Sequence, residues 1–288
     1  MNILITGVSG FIGRTLATAL SAAGHQIKPV CRSEGVDFKQ MLSVEHWLPR
    51  LKDVDAVINC VGIIGERGTQ RFAVLHTQAP SALFHACAQA GVRRVLQISA
   101  LGADESAFSA YHLSKRSADD CLRSLDLDWF VLRPSLIYGP GGKSAELFMR
   151  LATLPWIPVI GDGQQALQPV HISDVVLTVM KSLTSPEAKQ TLDIVGPDTI
   201  AFAEWLQTMR AAHGLSRTRI AHIPLWIAMA AAYVGRYFNP MLQPENLRML
   251  QRGYWADFTP LARFLGRLPH TATAALFFSQ SEPTRRAS

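Results

Sequence analysis

Lysine and cysteine are scarce in these 288 residues, and long apolar runs are missing. Seven lysines stand beside 21 arginines, and the net charge of +6 is scattered, with no long basic run. Without basic blocks interleaved with aromatics there is no nucleic-acid signature. The charge reads as a mild attraction for anionic ligands or surfaces. The four cysteines, Cys31, Cys60, Cys87 and Cys121, lie far apart, which excludes a disulfide framework and any metal-ligand spacing. They read as small buried hydrophobes in a reducing cytoplasm, and no metal site is expected. The most apolar later stretch, Leu225–Val234 between Pro224 and Gly235, is too short to span a bilayer. It reads as a buried or interfacial helix. A first strand starting at Asn2 leaves no place for a signal peptide, so a cytoplasmic location is expected. There is no internal repeat.

What is present concentrates at the start. Asn2–Thr6 has strand character, Gly7-Val-Ser-Gly10-Phe-Ile-Gly13 follows, and Arg14–Leu20 reads as a helix. Strand, glycine-rich turn and helix in that order make a phosphate cradle from backbone N–H groups and the positive end of a helix. The glycines are spaced by three, and each marks a position where φ is positive or a side chain would block the phosphate or the helix packing. Gly7, Ser9, Gly10, Phe11, Ile12 and Gly13 are therefore the expected pyrophosphate cradle.

Strands and helices alternate through the first half. Strands are expected at Gln26–Val30, Val36–Phe38, Asp55–Cys60, Arg94–Ile98 and Trp129–Arg133, with helices at Ala79–Ala90 and Ser109–Ser124. This pattern predicts an α/β Rossmann fold, a doubly wound parallel sheet with helices on both faces. After Gly139-Pro-Gly-Gly142 the rhythm breaks. Ser173–Thr184 reads as a helix capped by Ser173, Thr191–Val195 as a returning strand, and then helices dominate: Phe202–His213, Leu225–Val234, Glu245–Gln251 and Thr259–Leu265. The expected division is a dinucleotide domain over 1–138, with 170–196 packing back on the sheet, and a smaller, mostly helical lobe over 139–288. The polar tail Ser279–Ser288 is expected to be loose.

An NAD site usually has an acid at the end of the second strand to grip the ribose hydroxyls. Here that strand ends Val30-Cys31-Arg32-Ser33. Arg32, with Ser33 beside it and Arg14 in support, fits a 2′-phosphate through charge-assisted hydrogen bonds, so NADP(H) is expected over NAD(H), which stays possible. The other reading of Arg32 is a solvated loop residue. Asp37 and Phe38 can hydrogen-bond and cover the adenine, or form an ordinary turn. Cys60, Val61 and Gly62 end the next strand, where a small residue lets backbone approach the ribose.

Tyr111-His-Leu-Ser-Lys115 places a phenol and an ammonium four residues apart, on one helix face. A phenol near pKa ~10 is a poor acid or base at neutral pH, and a neighbouring ammonium favours the phenolate. The lysine can also reach the nicotinamide ribose. Ser99 closes the preceding strand twelve residues before Tyr111 and can donate to a carbonyl oxygen while Tyr111 moves the proton.

With these residues in order, the chain resembles the extended or atypical short-chain dehydrogenase/reductases, the epimerase/dehydratase-like superfamily. The resemblance rests on Thr6–Gly13, Asn59–Gly62, Ser99, Tyr111/Lys115, Arg133–Pro140 and Gln168–Asp174. Ile98–Asp104 and the C-terminal half are similar to the branch holding the NADPH-binding accessory subunit of complex I and its bacterial relatives. The resemblance implies a Ser99/Tyr111/Lys115 catalytic set and an NAD(P) site that includes Lys115 and Pro134. Members with a fourth catalytic residue carry an asparagine where this chain has Leu75-His76-Thr77. Some relatives in the branch hold NADPH as structural or assembly subunits.

Beyond Arg133, Ser135, Tyr138 and Phe148 are expected to contact substrate, with Leu147, Leu151, Pro155 and Trp156 as an apolar wall; ordinary core packing is the other reading. His171 can face the pocket or serve as a core histidine. No carboxylate or arginine cluster stands out for a sugar nucleotide's phosphates. The expected function is an NADP(H)-dependent oxidoreductase acting on an apolar carbonyl, enone or quinone-like small molecule. The alternatives are an NADPH-holding scaffold or redox sensor without turnover, and a nucleotide-sugar epimerase or dehydratase. Contact with a protein or a membrane surface through the C-terminal lobe is a further expectation.

Overall fold

A computed structural model gives the fold and describes residues 1–277. The tail Ser279–Ser288 lies outside the described residues. The chain divides into two compact units, residues 1–134 with 176–193, and residues 135–175 with everything from 194 onward.

The first unit is built on a six-stranded sheet. Its strands are β1 (Asn2–Thr6), β2 (Gln26–Val30), β3 (Ala56–Asn59), β4 (Arg94–Ile98), β5 (Asp128–Pro134) and a last strand, Gln190–Ile194. From one edge to the other the order is β2, β1, β3, β4, β5, Gln190–Ile194. The contacts β2–β1, β1–β3, β3–β4 and β4–β5 are all parallel. Central strands are near-continuous apolar runs because both faces are covered: Ile3, Leu4, Ile5, Val57, Ile58, Val95, Leu96, Phe130 and Val131 are buried. The edge strand β2 is more exposed and tolerates Pro29, which can donate nothing to a ladder.

Helices α1 (Phe11–Ala22), α2 (Val44–Trp47), α3 (Ala79–Ala90) and α4 (Ala110–Arg123) join the strands. A π-turn, Ala73–Gln78, leads directly into α3, which Gly91 ends at a φ of +76°. Ser109 caps α4 by accepting from the His112 N–H. The core on one face gathers Trp47, Phe84, Val57, Val95 and Val131.

The expected strand at Val36–Phe38 does not form. Phe38–Gln40 is a 3-10 turn, capped by Asp37, whose carboxylate accepts from the Lys39 N–H. The reason is local: an Asx-type bond offers the backbone a turn in place of a ladder. Ser173 is not the cap of its helix either. That helix runs over Ile172–Thr184, and the Ser173 hydroxyl lies within it, 2.6 Å from His171 Nδ1.

The second unit contains helices and three short ladders that sequence periodicity did not reveal. Ile137–Tyr138 pairs with Val170–His171, Ile157–Ile160 with Ile220–Ile223, and Ala166–Leu167 with Ile200–Ala201. Strands of two to four residues are too short to show a period of two. Its core collects Trp205, Tyr138, Phe202, Phe277 and Ile157.

Candidate active site

The order β2–β1–β3 puts the reversal of strand order between β1 and β3. In open α/β sheets such a switch point opens a crevice beyond the strand ends, where ligands bind. Both lips of this crevice are made by small residues. Gly7 has a φ of +70°, and a Cβ there would lie 3.0 Å from the backbone of Cys60 and Val61. A Cβ on Gly13 would lie 2.3 Å from the Gly7 carbonyl oxygen. Gly10 donates to that same oxygen at 2.9 Å and stands as the N-cap of α1 without any side-chain bond. No acid sits in the first turn of α1. The three-residue glycine spacing is therefore a folded requirement: the turn closes so tightly that side chains at Gly7 and Gly13 would strike backbone. The resulting cradle offers uncapped helix N–H groups and positive potential, which suits a pyrophosphate.

Of the other expected cofactor contacts, Arg32 and Ser33 are exposed in a 3-10 turn just after β2. Asp37 is held by Lys39, through its backbone and an ion pair at 3.4 Å. Phe38 turns inward against Trp47, with centroids 5.5 Å apart, so the ordinary turn is what forms and the ring belongs to the core. Burial pushes the Cys60 thiol up to about 12, which keeps it protonated. Pro134 is buried at the end of β5, where its carbonyl accepts from Leu101 N–H.

Tyr111 and Lys115 lie one turn apart on α4. Lys115 is buried, and its ammonium donates to the carbonyls of Ile98 at 2.9 Å and Val61 at 3.2 Å. Its third N–H has no partner among the described residues. Burial lowers Lys115 to about 8. Tyr111 departs from expectation: burial, and then the Asp119 carboxylate, push its phenol up to about 12, and Lys115 does not lower it. The ammonium spends its charge on two backbone carbonyls, and a buried phenolate is poorly solvated. Tyr111 in this state is a neutral phenol.

Two residues that the sequence did not single out for function complete the site. Asp119, one further turn along α4, is fully buried and accepts a short hydrogen bond from the Ser99 hydroxyl. Ser99 is thus turned toward Asp119, where a donor to substrate was expected. Burial raises Asp119 to about 7, against the pull of Ser99, Lys115, Arg123 and Arg133. Its second oxygen, Oδ1, is buried with no hydrogen-bond partner. The spacing Tyr111, Lys115, Asp119, each four positions after the last, was the available signal. His76 stands in the stretch where an asparagine is expected from the resemblance. It is fully buried, accepts from Ile63 N–H at Nε2 (2.9 Å) and bonds Ser114 Oγ at Nδ1 (2.9 Å). Since Nε2 accepts, Nδ1 carries the proton, and Ser114 passes the chain on to the Tyr111 carbonyl at 2.8 Å. Burial, and then the Lys115 charge, hold His76 neutral. A Cβ on Gly62 would lie 3.2 Å from Lys115 Nζ, so Gly62 is pressed against the site.

The expected substrate contacts fall in the second unit. Tyr138 does not line a pocket: it is fully buried among His171, Trp205 and Phe277. A strand residue facing this aromatic core is held by dispersion and burial. The Ser135 hydroxyl donates to the Gln168 carbonyl, and Phe148 is half-buried against Phe202. His171 is buried beside Ser173, a core histidine within its own unit. The acidic end of the same segment, Asp174, is fully buried and holds Arg267 and the His270 backbone and ring.

A six-stranded, mostly parallel sheet with a glycine cradle at its switch point defines a Rossmann-type dinucleotide-binding protein. The model of the NAD dependent epimerase/dehydratase family matches residues 3–195, and the chain belongs to that family. It is 31% identical over 196 residues to ceramide reductase of Caulobacter vibrioides, a match covering 64% of this chain and 61% of that protein. It is 26% identical over 212 residues to NADH dehydrogenase (ubiquinone) 1 alpha subcomplex subunit 9 of Mus musculus, covering 67% of this chain and 56% of the other. The matches thus span less than two thirds of either relative's length. Among solved structures, UDP-glucuronic acid 4-epimerase of Bacillus cereus, with UDP-glucuronic acid and NAD bound, superposes with a TM-score of 0.72 over 96% of both chains at 16% identity, a likeness of fold. No helix among the described residues is long and apolar enough to cross a membrane.

Proposed function

We propose that the chain is an NADP(H)-dependent reductase of an apolar carbonyl, enone or quinone-like substrate. The observation that carries this reading is α4, which presents a protonated Tyr111 and a Lys115 ammonium one turn apart, beside the switch point of the sheet. When bound, the dinucleotide would supply hydride to the substrate carbon. The chain's own part is to hold and to protonate. The Gly7–Gly13 turn receives the pyrophosphate, and Arg32, exposed where an acid would favour NAD, receives the 2′-phosphate. The third N–H of Lys115 takes a ribose hydroxyl. Tyr111, which stays protonated at rest, gives its proton to the developing alkoxide, a stronger base than the phenolate. The ceramide reductase relative supports the low polarity expected of the substrate.

The test has two parts. Fluorescence titration compares NADPH with NADH; tighter NADPH binding is expected, and tighter NADH binding overturns the cofactor assignment. NADPH oxidation is then followed with a panel of apolar ketones, enones and quinones. Tyr111→Phe is expected to lose roughly tenfold or more of the rate with NADPH affinity retained. Unchanged turnover would remove Tyr111 from the chemistry. Tight NADPH binding with no oxidation of any panel member would favour a scaffold, and binding of a nucleoside diphosphate sugar would favour an epimerase.

A further inference from the structure

The segment 225–255 of the second unit exposes an apolar surface that its own fold leaves uncovered. Helix Leu225–Gly235 has eleven residues, of which only Ala232 is buried. Trp226 is 73% exposed, Val234 62%, Tyr237 67%, Phe238 76% and Trp255 73%. Leu225, Ile227, Tyr233 and Leu242 are exposed as well. The helix is apolar around its whole circumference, so it shows solvent an apolar ridge with no polar face. The ridge is held in place from behind: Leu242 packs on Gly235, where a Cβ would meet it at 3.0 Å. Single exposed hydrophobics are ordinary, but this many within one short segment mark an interaction surface.

Charge decides what covers it. Between residues 214 and 256 the sequence carries five arginines (217, 219, 236, 248 and 252) and one acid, Glu245. Arg217 pairs with Glu204, Arg252 lies over the Tyr254 ring, and Arg219, Arg236, Arg248 and Arg252 are all exposed. Arg236 lies over the rings of Tyr233 and Tyr237, 5.8 and 4.9 Å from their centroids, and bonds the Tyr237 hydroxyl at 2.9 Å. One cation is thereby fixed among the exposed aromatic rings. A twofold pairing of the ridge with itself would bring like charges together. Trp, Tyr and Phe together with Arg, on an exposed apolar ridge, match the headgroup boundary of a bilayer that carries negative charge.

We propose that the ridge Leu225–Trp255 docks the protein on an anionic membrane surface, with Trp226, Val234, Tyr237, Phe238 and Trp255 entering the interface and Arg236, Arg248 and Arg252 contacting lipid phosphates. The chain lies on the bilayer without crossing it. The inference does not depend on the catalytic reading, because docking is read without turnover.

The experiment is co-sedimentation of the whole chain with phosphatidylglycerol–phosphatidylcholine vesicles and with pure phosphatidylcholine vesicles. Binding is expected to the anionic vesicles, weakening with salt. The double variant Trp226→Asp, Phe238→Asp is expected to bind at least about tenfold more weakly. Arg236→Gln and Arg248→Gln are expected to lose about fivefold each on anionic vesicles only. These positions are exposed, and unchanged circular dichroism and NADPH binding check that the variants fold. Absence of binding to anionic vesicles overturns the proposal, as does binding that the Trp226/Phe238 variant retains. Self-association abolished by Trp226→Asp, with no vesicle binding, assigns the ridge to a second copy and likewise overturns it. The same holds if the ridge is covered only by a copurifying protein.

Discussion

Asp119→Asn tests the most unusual group of the site. Asp119 is fully buried, one oxygen accepts from Ser99, and the other meets no donor. The folded state therefore prefers the neutral carboxyl, raised from its ordinary 3.8 to about 7. The sign follows from proton counting. Between these two values the folded chain holds one proton more than the unfolded chain, so stability falls as pH rises through the window. Moving a carboxyl from 3.8 to about 7 corresponds to about 4 kcal/mol at the alkaline end. Asparagine does not titrate, and its oxygen can still accept from Ser99. Its amide N–H groups, however, enter a buried spot with no acceptor, a cost of about 1–3 kcal/mol. The two effects oppose each other, and pH selects the winner. Urea denaturation should find the variant less stable than wild type by about 1–3 kcal/mol near pH ~3, below the ordinary value, and more stable by a similar amount near pH ~8. The crossing is the signature. Loss of the Asp119 charge also removes an interaction that raises Lys115, so Lys115 falls further below its present value of about 8. Its own contribution has the opposite sign: a lysine lowered on folding makes stability rise with pH above that value, which is why the comparison stops near pH ~8. His76, lowered by burial, makes both curves rise in part of this window, so the difference between them carries the test, and parallel pH–stability curves for the two proteins would refute the argument.

Three further outcomes follow from the geometry. Gly13→Ala places a Cβ 2.3 Å from the Gly7 carbonyl oxygen, a backbone atom that cannot swing aside, so NADPH affinity should drop by roughly tenfold or more in fluorescence titration. Gly62→Ala meets the flexible end of Lys115 at 3.2 Å, and a much smaller loss in the same assay is expected; equal losses would show that contact geometry does not govern the cradle. His76→Ala strands the Ile63 N–H, removes the ring N–H that Ser114 Oγ accepts from and opens a cavity, with an expected loss of about 2–4 kcal/mol in denaturant unfolding. A loss below about 1 kcal/mol would mean that water replaces the ring.

The parts of the site that could be read from sequence are those whose geometry is local. The β1–turn–α1 unit was legible because Gly7, Gly10 and Gly13 sit at positions a single turn requires. Tyr111 and Lys115 were legible because a helix places the fourth residue on the same face. Gly91 stopping α3 and Ser109 capping α4 are equally short-range. The misreadings have the opposite character. Val36–Phe38 resembled a strand, yet one Asp37 carboxylate bond makes it a turn. Tyr138 followed a strand end, yet Trp205 and Phe277, which enclose it, lie 67 and 139 residues further along the sequence.

By itself, the sequence of this protein determined a dinucleotide cradle, the alternation that makes a parallel sheet, and a phenol and an ammonium on one helix. All of these follow from backbone geometry within a few residues. Only the tertiary structure decided how those groups are protonated and where they are aimed. Ser99 meets Asp119 from a different element, His76 reaches Ile63 and Ser114, and Lys115 spends two of its N–H groups on carbonyls of β4 and of the segment after β3. The physical reason is desolvation. Whether a carboxyl, an imidazole or a phenol keeps its charge depends on what the whole fold removes from water around it, and no spacing along the chain encodes that.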